Sequence, residues 1–261
     1  MSIGNLPVLP PPFIPVPPAV RNGDDGLTLR RWSVDEYHRM IQAGVLKESE
    51  PVELLEGWIL YKIPRGADTP TLRRWTVDEY RRLIEIGVLQ ESERVELLEG
   101  WIVQQMPRNT PHETALQKTQ KRLRAILPTG WDLREQKAIA LSDSQPEPDC
   151  AIVAGDEDSY SATHPRPSDI AFLVEVADSS LSVDRNWMGR IYGRAGILTY
   201  WIVNIPDRQV EVYTDPSGAT DPPDVPGYGT RKDFRETDQV PVVIAGQTVA
   251  QILVSSLLPR T

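Results

Sequence analysis

The chain has 261 residues, of which 40% are hydrophobic and 25% are charged, and its formal net charge is −9 at pH 7. A chain of this length supports one sizeable core with additional segments better than two full domains. The negative charge argues against a protein that coats nucleic acid through a general positive field, although it leaves room for a local basic groove.

The cysteine and hydropathy patterns predict a cytoplasmic protein. Cys150 is the single cysteine, which excludes an internal disulfide framework and a structural zinc site built from cysteines. The longest compact apolar run, residues 170–174, is far shorter than the ~18 residues of a membrane span, so no membrane association is expected.

The N-terminal segment, residues 1–28, is predicted to be a disordered tail. Residues 1–20 contain seven prolines and no basic start, which excludes a helix and a secretory signal. The folded part of the chain is expected to begin after this segment.

Residues 29–65 and 72–108 are two copies of one segment, since 26 of the 37 aligned positions are identical. Two copies are too few for a solenoid, which needs about three stacked units. The second copy runs directly into the rest of the chain and is assigned to a main domain over residues 72–256. The first is then an appended unit that either pairs with a partner, which leaves a homodimer open, or packs weakly. Residues 1–70 are expected to be dispensable for folding.

Each copy predicts a helix followed by a hairpin. In the second copy, Thr76 and Glu79 form a capping box that satisfies the first free backbone donors of a helix, and Gly87 ends that helix. Glu99-Gly100, between two apolar segments, then predicts a tight hairpin turn in which glycine supplies a positive φ. The first copy carries the same signals.

The remaining chain predicts a mixed sheet with helices on its faces, an α/β fold. The apolar run at residues 170–174 is typical of a strand buried on both faces, and therefore of the centre of the sheet. Helices are predicted over 112–127 and 184–195, strands over 131–141, 149–153, 169–177, 200–203, 209–213, 228–234 and 240–244, and a last helical turn from residue 248.

Three acidic residues, Glu96, Asp149 and Glu175, lie in or at the ends of predicted strands. A hard divalent ion such as Mg²⁺ binds one or two carboxylates and completes its shell with water or phosphate oxygens. Asp149 and Glu175 on neighbouring strands could supply those carboxylates. From these residues alone, the alternative of ordinary exposed acids at strand ends stays open.

Six short motifs occur in order along the second part of the chain: RWTVDEY at 74–80, VELLEG at 95–100, PEPD at 146–149, LVEVA at 173–177, YGRAGI at 192–197 and YWIV at 200–203. In their order and spacing they resemble the putative restriction endonuclease family of the PD-(D/E)xK nuclease superfamily. The resemblance covers residues 72–256 and implies a restriction-endonuclease-like fold and DNA as the partner. It also implies Mg²⁺, or Mn²⁺, bound by Asp149, Glu175 and the carbonyl of Val176, with assistance from Glu96.

The lysine of this superfamily is missing from the sequence. Ala177 stands two residues after Glu175, and Met188 stands at the helical position to which the lysine usually migrates in this family. Arg185, three residues before Met188, is a candidate substitute that could stabilise an anion but could not act as a base. The sequence therefore leaves two hypotheses: a Mg²⁺-dependent DNA endonuclease weakened by this loss, and an inactive nuclease-fold interaction protein.

Two further residues near these motifs have alternative interpretations. His112, at the start of its helix, either tunes the site or is a solvated side chain, and the second interpretation is favoured. Cys150 is interpreted as a small core residue rather than a nucleophile, because no histidine lies near it in the sequence.

Overall fold

The computed structural model describes residues 27–62, 71–90, 92–217 and 227–260. The predicted tail therefore lies outside the described residues, except for its last two positions. Leu27 is buried and Thr28 begins a strand, so the boundary at residue 28 was placed two residues too late.

The front of the chain contains strands β1 to β6 and helices α1 and α2. Their bounds are β1 (Thr28–Leu29), α1 (Val34–Gln42), β2 (Val52–Leu55), β3 (Trp58–Tyr61), β4 (Thr71–Leu72), α2 (Val77–Glu85), β5 (Val95–Leu98) and β6 (Trp101–Gln104). Both helices begin with a complete capping box, as the sequence predicts. Both hairpin turns have a glutamate and a glycine at positive φ, Glu56-Gly57 and Glu99-Gly100.

The two copies exchange their first strands. β1 of the first copy pairs with β6 of the second, with Leu29 opposite Val103. Reciprocally, β4 of the second copy pairs with β3 of the first, with Leu72 opposite Leu60. Each copy therefore completes a three-stranded sheet that contains the other copy's hairpin.

The two copies also share one hydrophobic core. It contains Trp32 and Met40 from the first copy together with Trp75 and Leu83 from the second. The Trp32 and Trp75 rings lie 5.2 Å apart between their centroids. The first copy thus packs firmly on the second. This packing does not support the expectation that the first copy packs weakly, nor the expectation that residues 1–70 are dispensable for folding.

The rest of the chain forms a six-stranded mixed sheet with the strand order β12-β11-β10-β9-β8-β7. Its elements are α3 (Thr110–Arg124), β7 (Trp131–Glu135), β8 (Cys150–Ala154), β9 (Ile170–Ala177), α4 (Leu181–Val183), a π-helical turn (Asp184–Met188), α5 (Gly189–Arg194), β10 (Thr199–Asn204), β11 (Gln209–Pro216) and β12 (Tyr228–Arg235). β9 and β10 are parallel and the other pairs are antiparallel. Every residue of β9 is buried, which confirms its predicted place inside the sheet.

Each face of this sheet is covered by a separate core. On one face, the helical segment after β9 packs Trp187 and Tyr192 against Tyr200 and the second copy's hairpin. On the other face, α3 packs Leu116 and Leu123 against the sheet together with the C-terminal strands. The predicted α/β architecture of a mixed sheet between helices is confirmed.

The C-terminal segment differs from the prediction. The helical turn expected from residue 248 is part of β14 (Gln247–Leu253), which pairs with β13 (Gln239–Ile244) around a turn at Ala245-Gly246. Both turn residues have positive φ, which closes a tight hairpin and keeps the chain extended beyond it. Helical geometry begins only at a short 3₁₀ turn, Val254–Ser256. Within the described residues, no helix combines the length and apolarity needed to cross a membrane.

Candidate active site

A cleft of about 110 Å³ opens where the second copy's hairpin meets the ends of β8 and β9. Glu96, Asp149, Glu175 and Val176, the four residues proposed from the sequence, all line it. β5 supplies Glu96, the residue before β8 supplies Asp149, and the buried strand β9 supplies Glu175. The fold therefore brings together side chains that are 79 positions apart in the sequence.

Asp149 is held by donors from three different elements. Its Oδ2 accepts a hydrogen bond of 2.9 Å from the backbone amide of Val176, and its Oδ1 accepts one of 3.2 Å from Gln136 Nε2. The Nε2 atom of His112 lies 3.1 Å from Oδ2. These contacts fix the carboxylate at the floor of the cleft.

Two hydrogen bonds orient the Glu175 side chain, whereas its buried and negatively charged surroundings disfavour its ionised form. The amide of Asp149 donates to its Oε2 at 3.1 Å, and the Tyr192 hydroxyl donates to its Oε1 at 2.7 Å. Burial raises the pKa of Glu175 well above its usual range, and the negative charges of Asp149 and Asp184 raise it further.

Glu96 faces the same cleft from the hairpin. Its Oε2 accepts a hydrogen bond of 3.0 Å from the amide of Glu147. Burial raises the pKa of Glu96 to about 7, and the negative charges of Glu147 and Asp149 raise it as well. The hydrogen bond from the Glu147 amide acts to lower this pKa but is outweighed.

Asp184 is a buried acid in the cleft that the sequence analysis missed, and Glu147 and Asp178 also line the cleft. It is buried in the π-helical turn, and its Oδ2 accepts a hydrogen bond of 2.5 Å from Ser180. Burial raises its pKa to about 8, with a further contribution from the charge of Asp149. One pattern in the sequence could have identified Asp184, because it lies three and four residues before Trp187 and Met188 and so shares their helical face. A charged residue is buried on such a face only when it has a specific role or partner.

The donor set fits a hard divalent cation. Burial and mutual repulsion raise the pKa values of Glu96, Glu175 and Asp184, which marks a concentration of negative charge that a cation would relieve. Over the described residues, no three side chains of His, Cys, Asp or Glu are grouped as a complete metal centre. The sequence-predicted set of two carboxylates and one carbonyl matches an ion that takes its other ligands from water and phosphate.

Neither lysine position carries a cation, and Arg185 does not replace one. Met188 is buried and lines the cleft, and Ala177 is fully buried. The Arg185 guanidinium binds the buried Glu211 carboxylate instead, with Nε at 3.0 Å from Oε2 and a terminal nitrogen at 2.5 Å from Oε1. The substitution hypothesis for Arg185 is therefore wrong, because moving its side chain would leave a buried carboxylate without its main partner.

His112 is part of the cleft rather than a solvated side chain, so the favoured interpretation was wrong. The side chain of Asn109 caps the helix by accepting from the His112 amide, which places the imidazole against Asp149. Its Nδ1 atom is buried and has no partner within the described residues. Cys150 is fully buried, and burial raises its pKa, which confirms its interpretation as a core residue.

The mixed sheet brings Asp149, at the start of β8, beside Glu175 of β9, and the hairpin adds Glu96 to the same cleft. The family model described as "Putative restriction endonuclease" (Uma2) matches residues 77–246, and the chain belongs to this family. The resemblance read from the six motifs is thereby confirmed.

A solved structure from Anabaena variabilis, described as a putative nuclease belonging to DUF820, is similar to this chain with a TM-score of 0.52. The identity is 14%, and the match covers 70% of this chain and 96% of that chain, so it supports the fold alone. No curated protein matches the sequence.

Proposed function

We propose that the protein is a DNA endonuclease that hydrolyses phosphodiester bonds with Mg²⁺, or Mn²⁺, held by Asp149, Glu175 and the carbonyl of Val176. The observation that carries the proposal is the convergence of Glu96, Asp149, Glu175 and Asp184, four of the six acids that line the cleft, in a chain of a nuclease family. A divalent ion bound there would polarise a phosphodiester and lower the pKa of a bound water.

The surrounding residues support this role by orienting the ligands. The Val176 amide and Gln136 hold the two oxygens of Asp149, while Tyr192 and the Asp149 amide hold those of Glu175. A carboxylate oxygen has two lone pairs, so Oδ1 of Asp149 and both oxygens of Glu175, which each accept one such bond, can still bind a cation. Glu96, with its pKa near neutrality, is placed to take up or release a proton on the hairpin side.

The second candidate is an interaction protein that keeps the nuclease fold without the chemistry. One observation favours it: Met188 and Ala177 stand where relatives are expected to carry lysine, and Arg185 is bound to Glu211. The lost ammonium would have stabilised charge on the scissile phosphate, an effect that can reach several kcal/mol.

Nicking of supercoiled plasmid DNA in Mg²⁺ or Mn²⁺ tests the proposal. Wild-type protein is expected to convert plasmid to the nicked form, and Asp149→Asn and Glu96→Gln are expected to reduce that rate. Glu53→Gln is a matched control, because Glu53 is the counterpart of Glu96 in the first copy and does not line the cleft. Absence of nicking by folded wild-type protein under both metals would favour the interaction protein.

A further inference from the structure

We propose that Arg94 and Arg108 form a phosphate-binding rim on the cleft and contact the DNA backbone next to the metal. This inference rests on the proposed function and assigns a role to two side chains that no motif of the sequence singles out. The two residues flank the second copy's hairpin, Arg94 just before β5 and Arg108 between β6 and α3.

The second copy's hairpin brings both arginines to the lining of the cleft. The backbone amide of Gln105 donates a hydrogen bond of 2.8 Å to the carbonyl of Arg94, which ties the entry of the hairpin to its exit. Both side chains line the cleft, and the positive charge of Arg108 acts to lower the pKa of Glu96. The two arginines and the six acids of the cleft therefore line one space.

Both guanidinium groups lack a protein partner. Across the part of the chain that the structure describes, neither Arg94 nor Arg108 forms an ion pair or donates a side-chain hydrogen bond. Other arginines at polar sites behave differently: Arg30, Arg73, Arg185 and Arg190 each bind one or more carboxylates. Guanidinium groups that stay unpaired beside acids have their donors free for a ligand.

The charge pattern selects the kind of ligand. The acids, held by inward donors such as Tyr192 and the Val176 amide, form a floor that a divalent cation would occupy, whereas Arg94 is exposed and Arg108 half-buried at the rim. A cation alone would leave the guanidinium groups of the rim unpaired, and an anion alone would leave the carboxyl groups of the floor without a cation. A phosphodiester bound together with a divalent cation satisfies both, and the planar guanidinium fork matches phosphate oxygens.

The duplication provides a comparison within the chain. The counterpart of Arg94 in the first copy is Pro51, which precedes β2 in the same way and forms an equivalent hairpin. The hairpin therefore does not need an arginine at this position for its own folding. The two arginines remain protonated at all relevant pH values, so they would bind phosphate without acting as bases.

Fluorescence anisotropy with a short labelled duplex DNA tests the proposal in the full-length protein, with Ca²⁺ in place of Mg²⁺ to prevent cleavage. Affinity is measured over a series of salt concentrations for wild type, Arg94→Ala, Arg108→Ala and the double variant. Arg235→Ala is the matched control, since Arg235 is an exposed arginine on β12 outside the cleft.

Each cleft variant should weaken DNA binding several-fold and should reduce the slope of log affinity against log salt by about 1, because one phosphate contact is lost. Arg108→Lys should keep the slope and lose part of the affinity, since it keeps the charge without the fork. Thermal unfolding should not change, which separates a binding role from a structural one.

If the wild type binds DNA and the double variant binds it with the same affinity and the same salt dependence, this inference is overturned and the proposed function still stands. A wild type that binds no DNA with Ca²⁺ and cuts none with Mg²⁺ or Mn²⁺ would overturn both.

Discussion

Arg30 and Arg73 occupy equivalent positions in the two copies, and each joins its own copy's helix to the loop that precedes the other copy's hairpin. Arg30 binds Glu36 at 2.6 Å and Glu93 of the second copy at 2.7 Å. Arg73 binds Glu79 at 2.6 Å and Glu50 of the first copy at 2.7 Å. The reciprocity of these contacts makes the duplicated front a single interlocked body.

Removal of residues 1–70 should therefore destabilise the protein. A chain that starts at Thr71 loses β1 from the edge of β6 and half of the shared core around Trp75. We expect a melting temperature well below that of the full chain, or no cooperative transition, by calorimetry. A truncated chain that melts with the full-length transition would contradict the packing described above.

Single substitutions of the two arginines test the contacts between the copies without removing any segment of the chain. Arg30→Ala should lower the free energy of unfolding by about 1–3 kcal/mol, since it unpairs two partly buried carboxylates. Arg73→Ala should lower the free energy of unfolding by a similar amount, but it should leave intact the sheet of β1, β6 and β5 that carries Glu96. Chemical denaturation of both variants checks the magnitude, and a loss confined to Arg73→Ala would argue against the role of Arg30.

The cleft acids should make the metal-free protein less stable as pH rises. The folded-state pKa values of Glu96 and Asp184, about 7 and about 8, lie above the ordinary values of free carboxyl groups, so between pH 4 and 8 the folded state binds more protons than the unfolded state. Stability therefore falls as pH rises through that range.

Melting temperature in EDTA should accordingly be higher at pH 5 than at pH 8, and Mg²⁺ should restore much of the difference by binding the folded state. Asp184→Asn should flatten the pH dependence. A rise in melting temperature with Mg²⁺ that survives replacement of both Asp149 and Glu175 by alanine would place the metal elsewhere.

Met188→Lys should raise the rate of metal-dependent DNA cleavage at least tenfold, because it places a cation in the cleft at the position where the family resemblance implies a lysine. The stem of lysine is unbranched like that of methionine, so the cost in stability should be small. Met188→Gln is the control for polarity without charge. Equal rates for the lysine and glutamine variants would show that charge at this position is irrelevant.

Arg185→Ala should act on stability rather than on cleavage. Although burial acts to raise it, the pKa of Glu211 is held at about 2 by hydrogen bonds from Arg185, Asn204 and Tyr213. Loss of Arg185 should cost about 1–3 kcal/mol at neutral pH, because Arg231 still pairs with Glu211 at 3.2 Å. In wild type, this stabilisation is present above the ordinary pKa of glutamate and is lost as pH falls toward 2. A stable Arg185→Ala variant with abolished cleavage would instead assign Arg185 to the reaction.

Local signals in the sequence were sufficient for several elements. The capping boxes at Ser33 and Thr76 and the turns at Gly57 and Gly100 depend on hydrogen bonds and φ angles within a few residues, so the sequence predicts them well. Asp149 and Glu175 were also predictable, because the motifs around them fix their places at neighbouring strands.

Features that depend on distant contacts were not predictable in this way. The segment around Leu29 is nearly identical to the one around Leu72, so no local pattern distinguishes pairing within a copy from exchange between copies. His112 and Asp184 enter the cleft because α3 and the π-helical turn pack beside β8 and β9, and that placement depends on the whole sheet. Arg185 shares a helix with Met188, yet the buried Glu211 on β11 decides where its side chain lies.

The strand exchange also bears on how variants of this chain would fail. A hairpin that loses the strand donated by the other copy keeps an edge with unpaired amides and carbonyls, and such an edge is a template for pairing with other chains and therefore for aggregation. A lesion in the first strand of either copy therefore exposes the sheet edge of the other copy, so the two copies cannot diverge independently.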